Sequence, residues 1–176
     1  MNEQAEYLIR KLRLTKHPEG GYFNVTYESS EKIAYDSTTA FYKRSSDEQA
    51  DFVSTAIYYL LEGKDISAFH RMHRCNEIWH YYSGTPVCLH VIDINGEHFA
   101  NYLGNNIQNN EQPQVLVKAG SWMGAYLTDE SSYALLGCTV SPGYNPRDFE
   151  LGRRDKLLTM YPQYEPIIKR LTTSEL

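Results

Sequence analysis

The sequence predicts an all-β fold, a sandwich or barrel of short strands with short helices at the two ends. Three observations carry this. Between residues 52 and 140, short runs rich in Ile, Val, Thr and Tyr recur, each bounded by turn residues. Asn95-Gly96 lies between two such runs, a dipeptide suited to a two-residue hairpin turn because both positions tolerate positive φ. Tyrosine occurs 15 times, beside six Phe and two Trp, and aromatic side chains favour a pleated, half-buried surface.

The elements follow in order. Residues 3–13 read as an amphipathic helix, with Ala5, Leu8, Ile9 and Leu12 on one face. Pro18, Gly20 and Gly21 end that pattern, and 22–27 reads as the first strand. Residues 28–51 are mixed and polar, with an exposed loop expected near 43–49. Strands are expected at 53–61, 66–72, 77–83, 87–93, 98–103, 114–118, 121–127 and 132–140. Turn residues such as Gly63, Gly84, Gly96 and Gly120 separate them. Strands at this even spacing suit a sandwich or barrel. Pro142, Gly143 and Pro146 then break the pattern. Residues 148–160 read as a helix, and Pro166 opens a last one, since proline is tolerated in a first helical turn. We expect one domain over residues 1–176, with a β core at about 22–140.

Composition narrows the function. The chain has 176 residues, 41% hydrophobic and 22% charged, enough for one sizeable core. Its net charge of −5 and the absence of any run of Lys and Arg give no footprint for nucleic acid. No stretch approaches about 18 apolar residues, so no membrane span is expected. The polar start MNEQAEYLIRKLRL lacks the apolar centre of a secretory signal, and a cytoplasmic location is expected. Cys75, Cys88 and Cys138 match no zinc or redox spacing and read as free thiols.

The most informative stretch holds His70, His73, Glu77 and His80 within eleven residues. On a helix they would share a face, a metal-site pattern. The polar break Arg74-Cys75-Asn76 followed by Ile78-Trp79-His80-Tyr81-Tyr82 favours two strands joined by a turn. A period of two then groups His70 with Met72, and Glu77 with Trp79 and Tyr81. It sends His80 to the opposite side and leaves His73 at the turn. His70 and Glu77 converge from one side, and inward polar groups in a small barrel must be satisfied or used. His17-Pro18-Glu19-Gly20-Gly21-Tyr22 reads as a strained turn or a pocket rim. His90 and His98 read as structural or exposed, Cys138 as a buried inert thiol, and Asp148 with Glu150 as charges at a helix N-terminus.

Gly63, His70, Glu77 and Gly84 resemble the first cupin motif, although Gly63 lies one residue too far upstream. HPEGGYF from His17, STAIYYLL from Ser54, FHRM from Phe69, NEIWHYYSG from Asn76, KAGSWMGA from Lys118 and GCTVSPGYNPRDFEL from Gly137 extend the resemblance over most of the chain. Together they resemble one subfamily of single-domain cupins. The resemblance implies a double-stranded β-helix, or jelly roll, with short flanking helices, assembled as a homodimer. It also exposes departures. Met72 stands where a metal-binding cupin has its second histidine, and Met123 where the second motif supplies another. Thioether sulfur is a soft ligand and two protein donors are few. No cofactor is therefore expected, at most a weakly held divalent ion at His70 and Glu77.

What remains is a buried pocket for a small polar or sugar-like ligand. Some cupins, such as the dTDP-4-dehydrorhamnose 3,5-epimerases, use a histidine base at the position matching His70, oriented by a carboxylate and facing a tyrosine acid. The resemblance thus admits an epimerase or isomerase, with Glu77 or Asp148 as the carboxylate. It also admits a non-catalytic binding module, or a metal-dependent cupin with an incomplete ligand set. Tyr59, Met72, Trp79, Tyr81 and Met123 are expected to line the pocket and Tyr22 to close its mouth. A carboxylate partner and a facing tyrosine for His70, in a pocket open to solvent, separate the enzyme from the binding module.

Overall fold

The computed structural model describes residues 2–36, 41–47 and 50–173. In chain order the elements are α1 (Glu3–Lys11), β1 (Thr15–Lys16), β2 (Tyr22–Glu28), β3 (Lys32–Asp36), β4 (Phe41–Ser45), β5 (Asp51–Phe52), β6 (Thr55–Glu62), β7 (Ile66–Met72), β8 (Asn76–Gly84) and β9 (Val87–Ile92). Then come β10 (His98–Leu103), β11 (Glu111–Gln112), β12 (Gln114–Val117), β13 (Trp122–Leu127), β14 (Tyr133–Ser141), β15 (Phe149–Leu151), α2 (Arg154–Met160) and α3 (Glu165–Arg170). One six-stranded sheet has the order β1-β2-β6-β14-β8-β12. A second has the order β11-β10-β9-β13-β7-β15, and a small third sheet has the order β4-β3-β5. The two large sheets face one another as a jelly-roll sandwich.

The alternation of side chains decides what lies between them. Tyr59, Leu61 and Trp79 from the first sheet meet Leu89, Met123 and Leu127 from the second in one buried cluster. On β6 the neighbouring Leu60 turns outward and packs with Ala5 and Leu14 beneath α1. On β7, Phe69 turns outward and joins Ile92, Trp122, Leu157, Ile168 and Leu171 beneath α2 and α3. The terminal helices therefore cover opposite outer faces. Asn2 starts α1 by accepting bonds from the Gln4 and Ala5 backbone N–H groups at 3.0 and 3.3 Å, which satisfies donors a helix start leaves open. Among the described residues, no helix is long and apolar enough to cross a membrane.

Two expectations are corrected. The polar stretch 28–51 carries β3, β4 and β5, because Ile33, Tyr35 and Tyr42 give it β character between the charges; Lys43 lies in β4. The rest of the expected loop falls partly on residues 48–49, outside the described residues. The expected helix at 148–160 begins only at Arg154. Phe149–Leu151 is instead a strand, pairing Phe149 with Met72 and Leu151 with His70. The alternating Phe149 and Leu151 satisfy the sheet edge before the helix starts, so the jelly roll extends past residue 140.

Because Ile168 is fully buried against the second sheet, Ile168→Ala is expected to cost about 2–5 kcal/mol. A urea unfolding midpoint unchanged by the substitution would show that α3 is an ornament on the fold.

Candidate functional site

His70 is placed by β7, whose inward face carries Met72 and whose outward face carries Phe69. Its ring is 3% exposed. Nδ1 lies 2.8 Å from the Ala68 carbonyl oxygen and 3.1 Å from Oε2 of Glu19. Both neighbours are acceptors, so Nδ1 carries the ring proton and Nε2 keeps its lone pair. Burial lowers the His70 pKa, although Glu77 and the Ala68 carbonyl pull it upward. The Phe149 ring of β15 stacks on the imidazole at 5.5 Å between centroids. His70 is thus a neutral imidazole with a fixed tautomer.

Glu19 is the carboxylate that sequence reasoning missed. It lies in the turn between β1 and β2, and the chain must fold back sharply to bring it under β7. Gly20 has φ +113, and a Cβ there would sit 2.0 Å from the Ile66 carbonyl oxygen. Gly21 has φ +69, with a Cβ 2.6 Å from the Leu60 carbonyl oxygen. Only glycine permits this approach. The Glu19 carbonyl accepts from the Ala68 N–H at 2.8 Å, and Oε1 accepts from the Ser67 hydroxyl at 2.9 Å. Burial raises the Glu19 pKa, while His17 and the hydroxyl bonds lower it. His17 folds onto Phe23 with ring centroids 4.6 Å apart, and its Nδ1 accepts from the Glu19 N–H at 3.3 Å. The signal was present in HPEGG: two consecutive glycines beside an acid and a histidine.

Glu77 enters from the other sheet, on β8, and is 7% exposed. Burial pushes its pKa up to about 7; His70 pulls it down and Glu19 adds to the rise. The Cys138 thiol and the Trp79 indole steady its charge from β14 and β8, yet the buried Trp79 N–H makes no hydrogen bond of normal geometry.

His70 and Glu77 line one cavity of about 190 Å³, with His17, Glu19, Phe23, Met72, Cys138, Tyr144 and Phe149 among the other walls. Val25, Glu28 and Tyr144 also line it and are exposed, so it opens to solvent. Tyr144, from the loop after β14, brings a phenol to the mouth, its ring edge-on to Phe149 at 6.3 Å. Burial raises its pKa, with Glu19 adding to the rise.

The other expected residues separate. Met72 lines the cavity. Tyr59 and Trp79 are fully buried behind it, ring against ring at 5.7 Å, and the Tyr59 hydroxyl donates to the Gly20 carbonyl at 2.8 Å. They hold the wall instead of forming its surface. Met123 is core, paired with His70 across the strands. Tyr81 donates to the Gly84 carbonyl and lies outside the lining. Tyr22 packs near Leu60 on the outer side, under Lys16, and does not close the mouth. Asp148 is likewise not a partner of His70. It accepts from the Arg74 side chain at 3.1 Å and from the Cys75 thiol at 2.9 Å. Those bonds hold its pKa down against burial. It ties the β7–β8 turn to the C-terminal loop.

The sequence profile described as Cupin superfamily (DUF985) matches residues 6–152. The chain belongs to this family. Its fold is similar to that of protein SO0799 from Shewanella oneidensis, at 31% identity and a TM-score of 0.82, covering 99% of this chain and 100% of that one. A hypothetical protein from Leishmania major is similar at 28% identity and TM-score 0.82, over 97% and 99% of the two chains. Oxalate decarboxylase from Bacillus subtilis, at 12% identity and TM-score 0.54, shares the fold over 89% of this chain and 36% of its own. No curated protein matches the chain.

Metal ions are bound in many cupins, and the donors here do not fit one. Nε2 of His70 keeps a lone pair that could serve as one donor, but thioethers, which are soft ligands, occupy two places expected to hold imidazoles. Among the described residues no three His, Cys, Asp or Glu side chains converge on a common point.

The raised Glu77 pKa has a stability consequence. The native state holds a proton that the unfolded state releases between the ordinary 4.5 and about 7. Stability from this group is therefore full below the lower value and lost as pH rises through the upper one. Glu77→Gln is expected to stabilise the protein at about pH 8 by at most on the order of 3 kcal/mol, and not below about pH 4.5. Urea midpoints across that range check it, and an equal shift at both ends would contradict it.

Proposed function

We propose that this cavity performs metal-independent proton transfer on a small polar, sugar-like substrate, as an isomerase or epimerase. The observation that carries this reading is the His70 environment. Two acceptors hold the proton on Nδ1 and leave Nε2 as a base, in the pocket that Tyr144 also lines. A histidine base, a carboxylate beside it and a phenol at the same opening are the parts an epimerase needs.

The chemistry follows from the donor and acceptor states. Nε2 of His70 takes a proton from the carbon next to a substrate carbonyl. The C–H electron pair moves into the C–C bond and the carbonyl pair onto oxygen. The Tyr144 hydroxyl, a phenol protonated at neutral pH, donates to that oxygen. Glu19, and Glu77 in its ionised form, stabilise the imidazolium that results. Delivery of a proton to the opposite face of that carbon, as the enol O–H proton returns to Tyr144, completes epimerisation; delivery to the former carbonyl carbon, as the neighbouring hydroxyl gives up its proton, completes isomerisation and the catalytic groups recover their protons. Phe149 stacked on the imidazole and Phe23 at the wall exclude water from the reacting carbon.

Hydrogen exchange in heavy water tests this. A panel of unphosphorylated aldoses, ketoses and amino sugars is incubated with the protein, and deuterium entering the carbon beside the carbonyl is read by NMR. Removing a general base is expected to slow exchange about 10²–10⁴-fold in His70→Gln. Exchange equal in wild type and His70→Gln would remove His70 from the chemistry. Binding without any exchange would make the protein a ligand-holding module.

A further inference from the structure

The walls of the cavity have a charge that selects among small substrates. Glu19, Glu28 and Glu77 line it, and among the described residues no Lys or Arg does. His17 and His70 are driven towards the neutral form by burial, so neither offers a standing positive charge. Glu19 already accepts from Ser67 and lies against His70. Glu77 is different. It is more than nine-tenths buried, and among the described residues no Lys or Arg forms an ion pair with its carboxylate. The groups that face it are His70 from β7, Glu19 from the turn, Cys138 from β14 and Trp79 on its own strand. None of these is a cation at neutral pH. A buried carboxylate without a counter-charge is costly, and a bound cation relieves that cost. Phe23, Tyr144 and Phe149 add aromatic surface to the same walls, and ring faces attract organic cations more strongly once water is excluded.

We propose that the compound this cavity takes carries an ammonium group, held by Glu77 and by the aromatic walls. The inference rests on the reading of the cavity as the ligand site, and it narrows the ligand class from polar to amine-bearing. A phosphate or nucleotide would meet three acidic side chains and, among the described residues, no Lys or Arg, which is discrimination against anions. The volume of about 190 Å³ suits a small amine and not a nucleotide.

Choline is the probe, because its charge is permanent. Its uncharged isostere, with tert-butyl in place of trimethylammonium, has the same shape. Glycerol phosphate supplies the opposite charge. Calorimetric titration of the full chain is expected to show choline binding about tenfold or more tighter than the isostere, and glycerol phosphate not at all. Glu77→Gln is expected to abolish the preference for charge, and Phe149→Leu to reduce it. Equal affinity for choline and its isostere overturns the proposal. So does a preference that survives Glu77→Gln in a folded variant, binding of glycerol phosphate, or no choline binding at millimolar concentration. The outcome is separate from the exchange experiment. Exchange on a neutral sugar with no choline binding sinks the ammonium class and leaves the base intact. Choline selectivity without exchange does the reverse.

Discussion

The site depends on one buried contact, the carboxylate of Glu19 beside Nδ1 of His70. The two side chains lie far apart in sequence and approach because Gly20 and Gly21 fold the backbone against the carbonyls of Ile66 and Leu60. The same turn places His17 on Phe23, sets the Tyr59 hydroxyl on the Gly20 carbonyl and lets Ala68 donate to the Glu19 carbonyl. Burying a carboxylate is unfavourable unless its lone pairs are used. Ser67 uses one oxygen and the imidazole neighbours the other. Polar satisfaction at this point thus couples the N-terminal turn, β6 and β7 into one rigid unit.

The sandwich arrangement explains why the two polar groups at the cavity have such different characters. His70 and Glu77 rise from opposite sheets towards the same space. Burial acts on both, but in opposite directions along the pH scale, lowering the imidazole and raising the carboxyl. Each is thereby shifted towards its uncharged form near neutral pH. A cavity that suppresses charge in its own walls is prepared to respond to charge or developing charge in what it binds.

Much of the fold was legible in the residues. The strands 66–72 and 98–103 fall where the β-rich runs and turn residues put them, because both are bounded by clear breaks. His80 does turn away from the cavity, bonded to Thr139 at 2.9 Å, as the two-residue period requires. The strand at Phe149 was not legible, because three residues are too few for a period and the following charges imitate a helix start. The sandwich gave His70 its place, but its partner came from a turn. Spacing along strands reports which side chains share a face; it is silent on what a loop brings from outside the sheet. Glu19 was hidden for that reason, and Asp148 looked available only because its bonds to Arg74 and Cys75 are tertiary. Tyr144 lay within a quoted motif, yet no periodicity assigns a loop phenol to a pocket.

The strand pairing of Leu151 with His70, and the stacking of Phe149 on its ring, also set an order of events during synthesis. His70 leaves the ribosome about eighty residues before the strand that covers it. At about 5–20 residues per second, several seconds pass in which the imidazole is exposed to water and its neighbours are incomplete. The cavity is walled in only once Tyr144 and Phe149 have emerged. A chain cut short just before residue 149 keeps both faces of the sandwich but lacks the strand that pairs with β7 and the ring that stacks on His70, so the wall of the cavity depends on the strand made last.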